Sequence, residues 1–368
     1  MTDSTTPERS VRMGVFLPVA SGGWIVSTDK PDVPGTYADN RAITVLAEEL
    51  GFDFVLSMAK WRGYGGPSHH WDRQLESMST MMALAEATDR IGLWATVHTM
   101  VFHPAVAAKM IATLDEISGG RAGMNIVAGS NPFDQGQMGL WRDLDHDERY
   151  RYAAEWMTVV KRLWSEERVT FHGEYFDLDD CMSNPKPAVT PEMICAGASD
   201  AGLRFSIEHC GKSFVNAASV PVVQERGRRV HELSAEIGRE GEAFGLFLLV
   251  PGADDAEALA RVARYDAAVD IEALTNRSRE YATDKPGNTT AERFILQAAE
   301  AKAVPPTAIA GSPDTIADTL AEIALGGQFD GMVFTVPDFA DDVTTIAREI
   351  LPRLAERGVV STSALRVR

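Results

Sequence analysis

Short apolar runs alternate with longer segments in which apolar residues return at three- and four-residue steps, from the first dozen residues to the last. The runs predict strands at Met13–Val19, Phe52–Met58, Ile91–Thr99, Ala122–Ala128, Glu192–Ala196, Ser213–Ala217, Phe244–Val250 and Gly331–Val336. The periodic segments predict helices at Asn40–Leu50, Leu75–Thr88, Pro104–Ile117, Glu148–Trp164, Ala201–Cys210, Val222–Ile237, Asp254–Ala267 and Pro313–Leu325, with Asp342–Glu356 closing the chain. Ser312-Pro313-Asp314 offers a cap, a proline at the first helical position and an early acid, so that helix has a defined start. Strands and helices in strict alternation build a parallel sheet, and eight such units predict a (β/α)8 TIM barrel.

Two stretches interrupt the alternation. One lies near 168–190, rich in Asp and Pro; the other near 270–306 is polar, with a helical patch at Ala291–Ala299. Both are read as insertions at the C-terminal rim, where barrel enzymes place lids and substrate loops. Residues 1–11 are read as a disordered tail and 12–360 as a single domain carrying both insertions.

Composition narrows the partners. The 368 residues are 45% hydrophobic and 24% charged, near the globular average, so the chain folds by burial. A formal charge of −18 repels phosphate backbones and anionic membrane surfaces, which argues against nucleic acid and membrane partners. With no signal-peptide pattern in the first residues and no long apolar run, the expected location is cytoplasmic. Cys181, Cys195 and Cys210 lack paired spacing and read as small buried hydrophobes.

Several chemistries lack their motifs. There is no G-x-G-x-x-G after the first strand, no P-loop, no H-E-x-x-H and no G-x-S-x-G; Gly63-Tyr64-Gly65-Gly66 has the wrong spacing for a dinucleotide loop. His69-His70 reads as a loop or substrate-pocket pair rather than a metal site, so no metal is expected.

Five segments carry a likeness: GVFLPVASGGWIVST (Gly14–Thr28), FDFVLSMAKWRGYGG (Phe52–Gly66), TLDEISGGRAGMNIVAG (Thr113–Gly129), HDERYRYAAEW (His146–Trp156) and ICAGASDAG (Ile194–Gly202). The closing unit AGSPDTIADTLAEIALGGQFDGMVFTVPDF (Ala310–Phe339) is a sixth. In this order they resemble the bacterial luciferase-like, two-component flavin monooxygenases, (β/α)8 barrels supplied with reduced FMN by a separate NAD(P)H:flavin reductase. Within that family the likeness is nearest to the pyrimidine-oxygenating members and more distant to sulfone and alkanesulfonate monooxygenases.

The resemblance implies a site. Ser199, at the turn opening the helix after the fifth strand, would contact the FMN phosphate, a place where backbone N–H groups favour an anion; an ordinary N-cap is the competing reading. Arg149 and Tyr150 would hold the ribityl-phosphate with a guanidinium fork and a phenol. Ala59 and Lys60 would touch the isoalloxazine, with Lys60 at its pyrimidine edge. Asn125 and Thr96, polar positions inside apolar strands, would line the reactive flavin edge and act on dioxygen, and are the expected catalytic pair. Asp134 matches an acidic flavin contact, although this chain has Asp for Glu there and lacks the aromatic that follows Gly129 in the relatives.

The implied activity is FMNH2- and O2-dependent oxygenation of a small molecule, with ring opening of a pyrimidine-like or other N-heterocycle first and C–S cleavage of a sulfone or sulfonate second. A deazaflavin-dependent oxidoreductase and a flavin-sequestering protein are the rivals. The expected assembly is a homodimer or homotetramer.

Overall fold

The computed structural model describes residues 8–129, 132–197, 199–216, 219–281 and 289–363. Eight parallel strands close into a ring: β1 (Arg9–Leu17), β2 (Phe54–Ser57), β3 (Gly92–His98), β4 (Ala122–Val127), β5 (Glu192–Cys195), β6 (Gly211–Val215), β7 (Glu242–Pro251) and β8 (Gly331–Thr335). β8 returns to β1 in register, Met13 opposite Met332 and Val15 opposite Phe334. This is the TIM barrel the periodicity predicts, every strand within a few residues of its expected place.

The chain enters the sheet earlier than expected. β1 begins at Arg9, inside the stretch read as a tail, because Arg9–Val11 pair with a strand at Val359–Ser361. The Arg9 guanidinium also reaches Asp330 at 2.8 Å. A polar strand start flanked by charges carries no hydrophobic signal; its partners are supplied by the far end of the chain.

The lower barrel is filled by rings. Phe54 stacks on Trp94 at 4.0 Å, and Phe244 lies 5.9 Å from Trp94. Gly14, Gly123 and Gly331 make room, since a Cβ at each would run into one of these rings. Beneath the plug, Glu192 binds Arg12 at 3.3 Å and Lys212 at 2.7 Å, closing the N-terminal face.

Side chains alternate across a strand, so the residues two and four beyond Trp94, namely Thr96 and His98, also face the barrel axis. Asn125 and Thr335 share that face, two beyond Gly123 and four beyond Gly331. The barrel is therefore apolar below and polar above.

The insertions behave differently from one another. The first leaves the N-terminal face after the helix His146–Ser165 and folds back along it as an antiparallel hairpin, Val169–His172 with Asp177–Cys181. Only its tip approaches the rim, where Tyr175 and Phe176 meet Tyr152 and Phe176 meets His103. It is thus an outer strap that follows a helix, not a loop that follows a strand. The second insertion starts earlier than expected, at the helix Asp255–Ala267, and continues through Ile271–Tyr281 and Thr289–Ala299. A short strand, Ile309–Gly311, then rejoins β7 in parallel. Asp255–Ala267 reads as a barrel helix by period, yet the helix that fills that role is Pro313–Gly327, which abuts Val220–Ile237 where Gln224 donates to the Glu322 carbonyl at 2.8 Å. Ser312 caps it, accepting from Thr315 N at 3.3 Å.

Candidate active site

The floor of the barrel mouth is a pair of polar side chains on adjacent strands. Thr96 and Asn125 are register partners on β3 and β4, and the Asn125 Nδ2 donates to Thr96 Oγ1 at 3.1 Å. Thr96 Oγ1 donates in turn to the Ser57 carbonyl at 2.5 Å, and its N–H goes to Ser77 Oγ at 2.7 Å. Asn125 Oδ1 is buried and has no partner, as does Thr335 Oγ1. A buried, unpaired acceptor costs about 1–3 kcal/mol, so a polar atom held ready there implies a ligand that uses it.

One wall is ionic. Lys60, just beyond β2, binds Asp134 at 3.2 Å and pairs with Glu280 from the helix Ile271–Tyr281 of the second insertion. All three are buried. Asp134 Oδ1 also accepts from the Trp61 N–H at 2.9 Å, fixing the turn that carries Lys60. Burial pushes the Glu280 carboxyl upward, opposed by the Lys60 ammonium.

His98 completes that wall from β3. Its Nδ1 meets Gln135 Nε2 at 2.5 Å and its ring also bonds the Ala59 carbonyl. Burial brings its pKa down to about 4, with Asp134 pulling upward and Lys60 downward, so the ring is neutral. The neighbouring side is aromatic: Phe16, Trp24, Tyr64, His70 and Trp71, with ring centroids 4.5–6.1 Å apart in sequence around the group and Tyr64 next to the Lys60 ammonium.

A second cluster sits at the turn after β5. Ser199 caps the helix Asp200–Phe205, accepting from Gly202 N at 3.1 Å, so the N-cap reading is realised while its hydroxyl proton remains available to an acceptor. Gly197 and Gly202 touch backbone to backbone; a Cβ at Gly197 would lie 2.7 Å from the Gly202 backbone. A Cβ at Gly202 would collide with the Tyr150 hydroxyl, so Tyr150 lies over this turn. Arg149 follows the same helix start, set by the Asp145–Glu148 capping box, and lies over the Trp141 ring at 5.8 Å.

The structure therefore brings Thr96, Asn125, Ala59, Lys60 and Asp134 to one mouth and Tyr150 and Ser199 to one turn. The residues that sequence reasoning missed are Glu280, His98, Gln135 and Thr335. His98 was readable, two positions past Thr96 on the inward face. Glu280 was not, because it comes from a polar helix 220 residues along the chain from Lys60. Among the described residues no cluster of metal-ligating side chains occurs, and no helix is long and apolar enough to cross a membrane.

A parallel α/β barrel with a polar mouth at the C-terminal ends of its strands is the architecture of a barrel enzyme. The family model for luciferase-like monooxygenases matches residues 11–328, and the chain belongs to that family. It is similar to the pyrimidine monooxygenase RutA of Escherichia coli O6:K15:H31 (strain 536 / UPEC), 35% identical over 347 residues, 93% of this chain and 96% of that protein. To the protein of that name from Acinetobacter baylyi it is 33% identical over 352 residues, covering 94% and 95%. Among solved structures, riboflavin lyase with modified FMN and riboflavin superposes with a TM-score of 0.85 at 23% identity, covering 96% and 93% of the two chains. EDTA monooxygenase from Chelativorans sp. BNC1 gives 0.80 at 22% identity, covering 98% of each. The chain is a two-component flavin-dependent monooxygenase that uses reduced FMN and O2, with a separate flavin reductase and a small-molecule substrate.

The residues present fit that cofactor: the turn at Gly197 and Ser199 offers a hydroxyl and closely approached backbone to a phosphate, and the floor offers an unpaired amide oxygen to a ring N–H.

Proposed function

We propose that the chain oxygenates and opens a pyrimidine-like or other N-heterocyclic ring, inserting one oxygen atom from O2 at a carbonyl carbon next to a ring nitrogen. The observation that carries this reading is the unpaired, buried Asn125 Oδ1 beside Thr96 on the floor of a mouth walled by rings. The relatives named as pyrimidine monooxygenases support the substrate class.

Bound reduced FMN supplies the electrons that activate dioxygen. Ser199, Tyr150 and Arg149 would hold its phosphate end, and Ala59, Lys60 and Asp134 would meet its ring. Lys60 would supply a positive charge to the negative reduced ring, while Asp134 and Glu280 hold that ammonium still. Asn125 would offer its second amide N–H and its Oδ1 at the reacting edge, held in place by Thr96, whose hydroxyl and N–H are committed to Ser57 and Ser77. The aromatic wall excludes water and stacks a planar ring.

We read the chain as one domain, active as a homodimer or homotetramer in the cytoplasm. Oxygen uptake with FMN, NADH, a flavin reductase and a panel of uracil, other N-heterocycles, sulfones and sulfonates tests the reading. Substrate-dependent product from the heterocycles alone supports it; product from the sulfur compounds alone overturns it.

A further inference from the structure

The loop after β2 contains a histidine that nothing so far uses. His70 is fully buried, and neither ring nitrogen has a partner. Its neighbour His69 is exposed and bonds Asp72 at 3.2 Å, so the two histidines have different fates. His70 stacks against Trp71 at 5.1 Å and Tyr64 at 6.1 Å, and Tyr64 in turn lies 5.0 Å from the Lys60 ammonium. The imidazole thus belongs to the aromatic wall of the mouth, next to the ionic wall.

Its backbone is held in an unusual path. His69 and Trp71, on either side, both have left-handed backbones, with φ of 47° and 60°. Such residues persist where the surroundings over-determine them, and they concentrate at ligand sites. The surroundings here are the Tyr64 N to His70 carbonyl bond at 2.9 Å, the His70 N to Gly65 carbonyl bond at 3.1 Å, and the Trp71 Nε1 bond to the Gly23 carbonyl at 2.7 Å. The fold spends strain to hold an imidazole that has no partner of its own.

The ring's state follows from its neighbours. Burial, reinforced by Arg277 and Lys30, holds its pKa well below the usual histidine range, so it is neutral, with one donor and one acceptor. Nδ1 faces Gly22: a Cβ there would lie 3.1 Å from Nδ1 and 3.5 Å from the Lys30 ammonium. Lys30 therefore lies near the Nδ1 side, and Arg277 acts on the ring as well.

We propose that His70 is a specificity-determining residue whose ring N–H donates to a ring carbonyl oxygen of the substrate, a planar heterocycle stacked in the Trp24–Tyr64–Trp71 wall. This rests on the N-heterocycle reading above and adds to it that the ring carries a carbonyl. The aromatic faces bind any flat ring; the single buried donor selects those that fill it, since a ring without an acceptor leaves the donor unpaired.

The test is equilibrium binding to the complex with oxidised FMN, where no turnover occurs, using uracil and 2-pyridone as carbonyl-bearing probes and benzene as the flat ring without an acceptor. His70→Phe keeps ring size and stacking and removes the donor; His70→Gln keeps a donor. For uracil and 2-pyridone, His70→Phe is expected to weaken binding at least about tenfold, His70→Gln to restore most of it, and benzene to bind both variants as it binds the parent. FMN affinity stays unchanged and the melting temperature of His70→Phe equals or exceeds that of the parent, which a structural histidine would not allow. Unchanged uracil binding in folded His70→Phe overturns the assignment, as does equal loss for benzene or failure of the parent complex to bind either carbonyl probe. If uracil binding follows the expected pattern but no ring-opened product forms on turnover, the ring-opening reading fails and the His70 assignment stands.

Discussion

Lys60 and Glu280 form a buried ion pair that ties the end of the second barrel strand to the rim insertion, with Asp134 as a second carboxylate on the same ammonium. Both buried acids share the Lys60 ammonium, with Arg62 also acting on Glu280, so the cluster depends on Lys60 more than on either acid. Lys60→Met is expected to cost about 3–5 kcal/mol, because it removes the ammonium that both buried carboxylates share. Glu280→Gln, which keeps the shape and one carboxylate, should cost distinctly less. Urea unfolding of the two variants measures the difference; equal costs would place the pair outside the fold's electrostatic support.

Thr96 and Asn125 are bonded to one another, yet Asn125 Oδ1 has no partner. Asn125→Leu should leave folding and FMN affinity nearly intact while lowering the oxygenation rate about 10²–10³-fold, with oxygen leaving as hydrogen peroxide. Thr96→Val should lose less rate and more stability, since it breaks the bond to the Ser57 carbonyl. Product formed per NADH consumed, with melting temperature alongside, separates the two. Normal coupling in folded Asn125→Leu removes the amide from the chemistry.

His98 and His209 give the protein an acid limit. Burial brings both down to about 4, His209 with help from Lys161 and Arg239. An unfolded histidine titrates near 6.5, so between these values the unfolded chain binds more protons and stability is lost as pH falls from about 6.5 toward 4. His98→Gln should flatten that slope while lowering stability at neutral pH through the lost Ala59 contact. Melting temperatures from pH 4 to 8 check it; an unchanged slope would show that His98 does not contribute.

The β5 turn is the proposed seat of the FMN phosphate. Gly202→Ala drives a methyl into the Tyr150 hydroxyl and toward Gly197, so it should weaken FMN binding at least about tenfold while the parent prefers FMN to FAD. Fluorescence titration with both flavins measures this. Parent protein that binds FAD as tightly as FMN contradicts a mononucleotide cradle.

The barrel was legible because each unit announces itself twice, by an apolar run and by a helix period, and eight repeats leave little room for another fold. Most of the proposed site rests on resemblance: Asn125 stands out as an amide in an apolar strand, but Ser199 or Arg149 would otherwise read as a cap and a surface charge. What was hidden came from long-range partners. Arg9 joins the sheet because residues 359–361 are there to pair with it, and Glu280 joins the mouth because a polar helix folds over the rim. Asp255–Ala267 misled for the opposite reason, as an amphipathic helix reads the same whether it packs on a barrel or caps it.

The most direct measurement is the fate of labelled oxygen. With the protein, FMN, a flavin reductase and NADH under 18O2, uracil or another carbonyl-bearing N-heterocycle should give a ring-opened product carrying one 18O atom, and none should form without O2 or without the reductase. Ring-opened product with its new oxygen drawn from water, or product formed anaerobically, would contradict the account.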